Sequence, residues 1–223
     1  MNKLRFFCIA ACVCMMSIFL SCDKDKNKDD DSPKSSHVTS IDATVANANN
    51  VISEVEIVKL VIVDADDKIL FEVAESDYVK GKFLIKLPDN IPSKYLGISL
   101  DEDYFPDGIK ISKPNVEGVE AKLLGYKNKT ESHYGSFWYE KRNEKNICIV
   151  DAYLIYVNND VTITGTHEET YNKESTRIKK HNLSFKKGWN FYYYSFEQSI
   201  DGKTKTDQYT TTKPDDMKWY YYD

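Results

Sequence analysis

The chain has 223 residues with 30 basic and 35 acidic side chains, a formal net charge of -5. That is enough for one large or two small domains with a real hydrophobic core, so disulfide stapling is not required. The acidic balance and the lack of any basic stripe argue against nucleic acid as a partner, and 16 Tyr, 10 Phe and 3 Trp among many Val, Ile and Thr favour strands over helices.

Residues 1–5 carry Lys3 and Arg5, and residues 6–20 form an apolar stretch of fifteen. That length suits the hydrophobic part of a secretory signal and falls short of the roughly 20 residues that cross a bilayer as a helix. Ser21 is the small residue a signal peptidase requires, so residues 1–21 are expected to be a signal peptide. Ile18-Phe19-Leu20-Ser21-Cys22 resembles a lipobox with its Leu one place late, which makes Cys22 the expected site of lipid attachment. A second such run ends at Cys12, but cleavage there leaves half the usual hydrophobic length. Without residues 1–21 the chain carries 28 basic and 35 acidic groups, a formal charge of -7, and its cysteines reduce to Cys22 and Cys148. Once Cys22 is acylated, no intrachain disulfide remains available.

Hydrophobicity stops at Cys22, and residues 22–37 open with Asp23, Lys24, Asp25 and Lys26. So few apolar side chains cannot offset ordering entropy, so a solvated tether is expected there. The acidic residues directly after the cysteine resemble the export signal of surface lipoproteins of the Bacteroidetes type. That resemblance implies a lipid anchor in the outer membrane at the cell surface, with the periplasmic leaflet as the alternative, and a membrane bound through lipid alone.

Residues 38–223 change to short apolar runs punctuated by turns. Residues 55–63 predict a buried strand, 64–68 a turn and 69–73 the return of a hairpin. Residues 82–87 predict a strand stopped by Pro88, and 120–126 and 136–140 are shorter candidates. In residues 146–157 both alternating faces are largely apolar, which predicts a central strand. Residues 158–160 turn the chain into a strand over 161–166. Residues 189–196 lead to a hairpin with Asp201-Gly202 at its tip, a pair suited to a two-residue type I′ turn, and 204–212 return. Residues 219–222 close the chain. Such strands without interposed helices predict an all-β fold, a β-sandwich that is Ig-like or related, with a division into subdomains 38–127 and 134–223 left open.

Lys82-Phe-Leu-Ile-Lys-Leu-Pro88 with Ser93-Lys-Tyr-Leu96, Asp160-Val-Thr-Ile-Thr-Gly165, Leu183-Ser-Phe-Lys-Lys-Gly-Trp-Asn190, and Thr211-Thr-Lys-Pro214 with Lys218-Trp219 resemble recurring segments of a group of Bacteroidetes-type surface lipoproteins. The resemblance spans roughly residues 50–223. It implies anchoring and an all-β fold, and no particular activity. Physically, Gly188 supplies a turn backbone that other residues resist and delivers Trp189 into a core.

No nucleophile-elbow run is present. Cys148 shares its strand face with Val150 and Leu154, an apolar setting that keeps a thiol inert. His37, His133, His167 and His181 are too scattered for a zinc site and read as surface or loop residues. The acidic loop with Asp101, Glu102, Asp103 and Asp107 breaks EF-hand spacing and reads as a solvated loop. No catalytic residue, metal or cofactor is therefore assigned. The aromatic rows carry the binding argument. On residues 189–196, Trp189, Phe191 and Tyr193 alternate with Tyr192, Tyr194 and Phe196, and Tyr220 and Tyr222 alternate likewise near the end. Tyr192, Tyr194, Phe196, Tyr220 and Tyr222 are the expected platform for a glycan or protein ligand. The expectation is a non-catalytic binding or adhesion protein of the cell envelope. An accessory hydrolase using dispersed carboxylates and a purely structural envelope component are the alternatives.

Overall fold

The computed structural model describes residues 35–223 except 52, 54, 102–104, 128–132, 146, 172–174 and the side chain of Cys148. The signal segment 1–21, Cys22, the tether as far as residue 34 and the environment assigned to the Cys148 thiol lie outside the described residues. Strands follow in the order β1 (His37–Val38), β2 (Ser40–Thr44), β3 (Ile57–Val63), β4 (Ile69–Asp77), β5 (Lys82–Lys86), β6 (Ile98–Leu100), β7 (Ile109–Ile111) and β8 (Val116–Tyr126). They continue as β9 (His133–Arg142), β10 (Cys148–Val157), β11 (Val161–Tyr171), β12 (Ser175–Phe185), β13 (Gly188–Gln198), β14 (Thr204–Thr210) and β15 (Lys218–Tyr222). Two single 3₁₀ turns, Ala48–Asn50 and Ser93–Tyr95, are the helical elements among the described residues.

The fold is an all-β sandwich of unequal layers: a 13-stranded sheet packs against the two-stranded sheet β2–β5. The main path of the large sheet runs β4-β3-β8-β9-β10-β13-β14-β12-β11-β7, with β15 on β9, β6 on β8 and β1 on β13. Because β8 pairs with both β9 and β10, strands from both sides of residues 128–132 share one sheet.

Strand alternation explains the layering. In the small sheet Ile41 faces Ile85 and Ala43 faces Phe83, and all four are buried, while Ser40, Asp42 and Leu84 turn outward. The large sheet meets them with Val58, Leu60, Phe137, Leu154, Phe191 and Trp219. Each fully buried side chain of this size contributes about 1.5–3 kcal/mol relative to exposure. The opposite face has a smaller core at one end, where Leu100 and Val116 pack with Ile155, Ile163, Leu183 and Phe185.

The turn between β12 and β13 is held by side chains. Gly188 lies at φ +104°, as its place in the sequence predicts. Asn190 is 0% exposed; its Oδ1 accepts from the Lys186 N–H at 3.0 Å, and its Nδ2 donates to the carbonyls of Lys186 and Gly188 at 2.7 and 3.0 Å. Asp160 adds a bond from the Lys187 N–H at 2.8 Å and an ion pair with the Lys186 ammonium at 2.9 Å. Trp189, 2% exposed, donates from Nε1 to the Pro88 carbonyl at 3.0 Å. Segments 82–88, 160–165 and 183–190 thus meet at one corner. Past the turn β12 and β13 splay apart, and β14 enters between them, antiparallel to β13 and parallel to β12.

Several elements differ from the sequence expectation. The β13–β14 connection is not a two-residue turn: the Ser199 N–H bonds the Thr204 carbonyl, and only Gly202, at φ +73°, adopts the left-handed conformation. β11 runs five residues beyond the expected 161–166, and its partner β12 was not expected as a strand at all. The outer part of β11 is polar and largely exposed and that of β12 is polar and half-buried, so no alternation marks them. His37 and Val38 pair with Asn190 and Trp189, so the chain joins the sheet at the end of the expected tether.

Candidate functional site

β15, β9, β10 and β13 are consecutive neighbours in the large sheet, and their registers decide which side chains share a face. Tyr220 stands opposite Trp138 and Tyr222 opposite Ser136; Glu140 stands opposite Asp151, and Asp151 opposite Tyr194; Tyr153 stands opposite Tyr192. Cross-strand partners project to the same side. Tyr192, Tyr194 and Phe196 therefore lie on the same face as Tyr220 and Tyr222, three strand spacings or about 14 Å away, with Trp138 and Tyr153 between them. The inner face of these strands carries Trp219, Tyr221, Phe137, Leu154, Trp189 and Tyr193, all buried.

On this outer face Phe196 is 44% and Tyr222 38% exposed, while Trp138, Tyr153, Tyr192, Tyr194 and Tyr220 are half-buried. Their orientations are fixed by polar partners. The Tyr192 hydroxyl donates to Glu120 at 2.5 Å, and its ring stacks on Tyr153 at 5.1 Å and 12°. Burial first, and the Glu120 charge second, push the Tyr192 hydroxyl far above the usual phenol range. The Tyr194 hydroxyl donates to Asp207 at 2.8 Å, and burial with that bond raises it to about 12. Asp207 is 0% exposed and is gripped by the Arg177 Nε at 2.5 Å, which holds its carboxyl below the usual range. At the other edge Glu140, 3% exposed, accepts from Arg142 at 2.5 Å and from the Tyr222 hydroxyl at 2.6 Å. The Arg142 guanidinium lies 4.0 Å from the Tyr220 ring centre. The Trp138 Nε1 donates to Ser136 Oγ at 2.8 Å. Rings tied this way have less side-chain entropy left to lose than free ones.

One concavity borders the face and another lies behind it. The first, of about 260 Å³, is lined by Ile98, Phe105, Ile163, His181, Phe185 and Tyr209 among others. There His181, which the sequence places in a surface or loop role, is packed instead: it stacks on Tyr209 at 4.6 Å, Phe105 meets it edge-on at 5.5 Å, and its Nδ1 is buried without a hydrogen-bond partner. Burial first, and Lys179 second, lower it to about 4. The other, of about 540 Å³, opens on the opposite side of the sheet beside β2, over Phe191, Tyr193, Tyr139 and Trp219 with Lys213 at its rim. His167 bonds the Asp107 carbonyl at 3.0 Å. Among the described residues no cluster of three or more His, Cys, Asp or Glu could hold a metal, and residues 102–104 of the acidic loop lie outside them.

Sequence reasoning identified the two aromatic rows but missed Trp138, Tyr153, Glu120 and the two Arg–carboxylate pairs. Period-two alternation cannot link Trp138 and Tyr153 to the other rings, because each belongs to a different strand. The molecule is thus an all-β sandwich with an aromatic, carboxylate-studded sheet face. No family model, curated protein or solved structure matches the chain.

Proposed function

We propose that the protein is an exported, lipid-anchored binding protein, attached to the outer membrane through Cys22 and displayed at the cell surface, that holds a glycan across the outer face of β15, β9, β10 and β13 without catalysing its turnover. The observation that carries this reading is the gathering of Tyr192, Tyr194, Phe196, Tyr220 and Tyr222 with Trp138 and Tyr153 on one sheet face. Flat amphipathic rings offer apolar surface to a sugar ring. The exposed Glu120 and half-buried Asp151 carboxylates stand among them; the centre of a protein–protein interface is depleted in such groups, whereas a hydroxyl-rich ligand uses them as acceptors. Glu120, Glu140 and Asp207 are engaged with tyrosines and arginines that shape the face, which favours binding over hydrolysis.

Two experiments test the reading. Protease shaving of intact cells should remove the domain, and Cys22→Ala should release it from membranes; retention of that variant on the membrane sinks the anchor. Affinity electrophoresis of the full-length chain in detergent micelles against a panel of polysaccharides should show retardation that Tyr194→Ala and Tyr220→Ala each reduce. Retardation unchanged in both variants, or absent throughout, refutes the aromatic face as a glycan site.

A further inference from the structure

The outer face contains a fork. β8 pairs with β10 from Gly118–Val157 to Ala121–Leu154, then with β9 from Leu123–Phe137 onward, while β9 pairs with β10 only from Tyr139–Ala152 outward. Where the three strands part, Lys122, Trp138 and Tyr153 surround a slot of about 90 Å³ that passes into the sheet. Its mouth has Glu120, Lys122, Ser136, Trp138 and Tyr153, which are exposed or half-buried; its walls are Ala121, Leu123, Ala152, Leu154, Phe191 and Trp219, which belong to the inner face. The slot therefore opens on the aromatic side and ends in apolar side chains.

Size and lining restrict the occupant. A water claims about 30 Å³ of liquid volume, so the slot has room for a two-carbon unit and not for a sugar ring or an indole. Its apolar walls offer nothing to a hydroxyl, whereas its mouth offers a carboxylate and an ammonium. Glu120 gives one oxygen to Tyr192 and keeps acceptor capacity on the other. Lys122 pairs with Asp67 at 2.6 Å in an exposed bridge, an interaction of small worth that a ligand can displace.

Resting on the glycan reading, we propose that the slot receives the methyl of an acetamido group, so that the site selects N-acetylated sugars: the sugar ring lies on Trp138 and Tyr153, Glu120 accepts the amide N–H, and Lys122 donates to the amide carbonyl. An alanine methyl of a peptide fits the volume equally well, but the exposed Glu120 carboxylate at the mouth, among the aromatic rings, favours the hydroxyl-rich ligand.

The test is calorimetric titration of the full-length chain in detergent micelles with two trimers that differ only at C2: β1,4-linked N-acetylglucosamine and β1,4-linked glucose. Methyl burial and the bond from Lys122, the C2 hydroxyl of glucose being able to donate to Glu120 in place of the amide, together predict about tenfold tighter binding of the acetylated trimer. Ala121→Val and Ala152→Val, each extending a wall into the slot, should bring the two trimers within about twofold of each other, with folding checked by thermal melting. Should either variant fail to fold, the wild-type comparison still decides. Equal affinity of the wild type for both trimers, lowered by Tyr194→Ala, overturns the acetamido assignment and leaves the aromatic face standing. Binding of neither trimer overturns both.

Discussion

Asn190→Ala tests whether the β12–β13 turn is held as the geometry indicates. The side chain is fully buried and makes three hydrogen bonds, to the Lys186 N–H, the Lys186 carbonyl and the Gly188 carbonyl. An intramolecular hydrogen bond contributes about 1 kcal/mol net, and a buried group left without its partner costs about 1–3 kcal/mol. Water enters part of the vacated space, so the expected loss is about 3 kcal/mol, equivalent to a fall of about 6–12 °C in melting temperature for a chain of this size. Asn190→Asp keeps the acceptor for Lys186 but presses a carboxylate against two carbonyl oxygens, and should cost at least as much. Because Asp160 holds the adjacent Lys187 N–H, Asp160→Ala combined with Asn190→Ala should fall short of the sum of the two single losses. Urea unfolding followed by tryptophan fluorescence measures all of these, since Trp189 is the next residue. A loss under about 0.5 kcal/mol for Asn190→Ala, the scale of an ordinary surface substitution, refutes the reasoning.

Trp189→Ala should cost about 3–5 kcal/mol, whereas Trp189→Phe, which keeps a ring against Tyr156 and abandons the bond to Pro88, should cost about 1–2 kcal/mol in the same unfolding assay. His181 binds its proton less readily when folded, at about 4 against an ordinary 6.5. Its contribution is therefore complete above pH 6.5 and lost as the pH falls toward 4. The loss is about 2 kcal/mol once partial exposure of the ring is discounted, and urea unfolding of His181→Phe across this range should lack that component. Arg177→Ala leaves the Asp207 carboxylate with Tyr194 as its remaining direct side-chain partner among the described residues and, because the Arg177 side chain is itself partly exposed, should cost about 1–3 kcal/mol at neutral pH. Because the folded Asp207 pKa is depressed, this ion pair stabilises above the ordinary carboxylate pKa and fades as acid protonates the group. The Arg177→Ala penalty should accordingly shrink on acidification, and a penalty independent of pH would count against the pair.

Much of the fold is legible where one strand reports on itself. β3, β5, β10 and β13 announce themselves by runs of Val, Ile, Leu and aromatics, and alternation alone separates Trp189, Phe191 and Tyr193 from Tyr192, Tyr194 and Phe196. The first row proves buried and the second half-buried or exposed, as a strand with one covered face requires. β12 stayed hidden because Arg177, Lys179, Lys180 and His181 carry no apolar rhythm; neighbours β11 and β14 hold it by backbone pairing. Neighbour identity is equally silent in the sequence. Nothing local says that β15 lies beside β9, that β14 enters between β12 and β13, or that β8, β9 and β10 part around Trp138 and Tyr153. The sequence by itself determined the strand class, the row of each aromatic and the turn at Gly188, because these follow from side-chain chemistry and a two-residue period. Only the tertiary structure decided which rows become one face, which carboxylates hold them and where the sheet opens, because hydrogen bonds join residues as much as 174 positions apart, as between Asn47 and Tyr221, and no local pattern encodes that choice of partner.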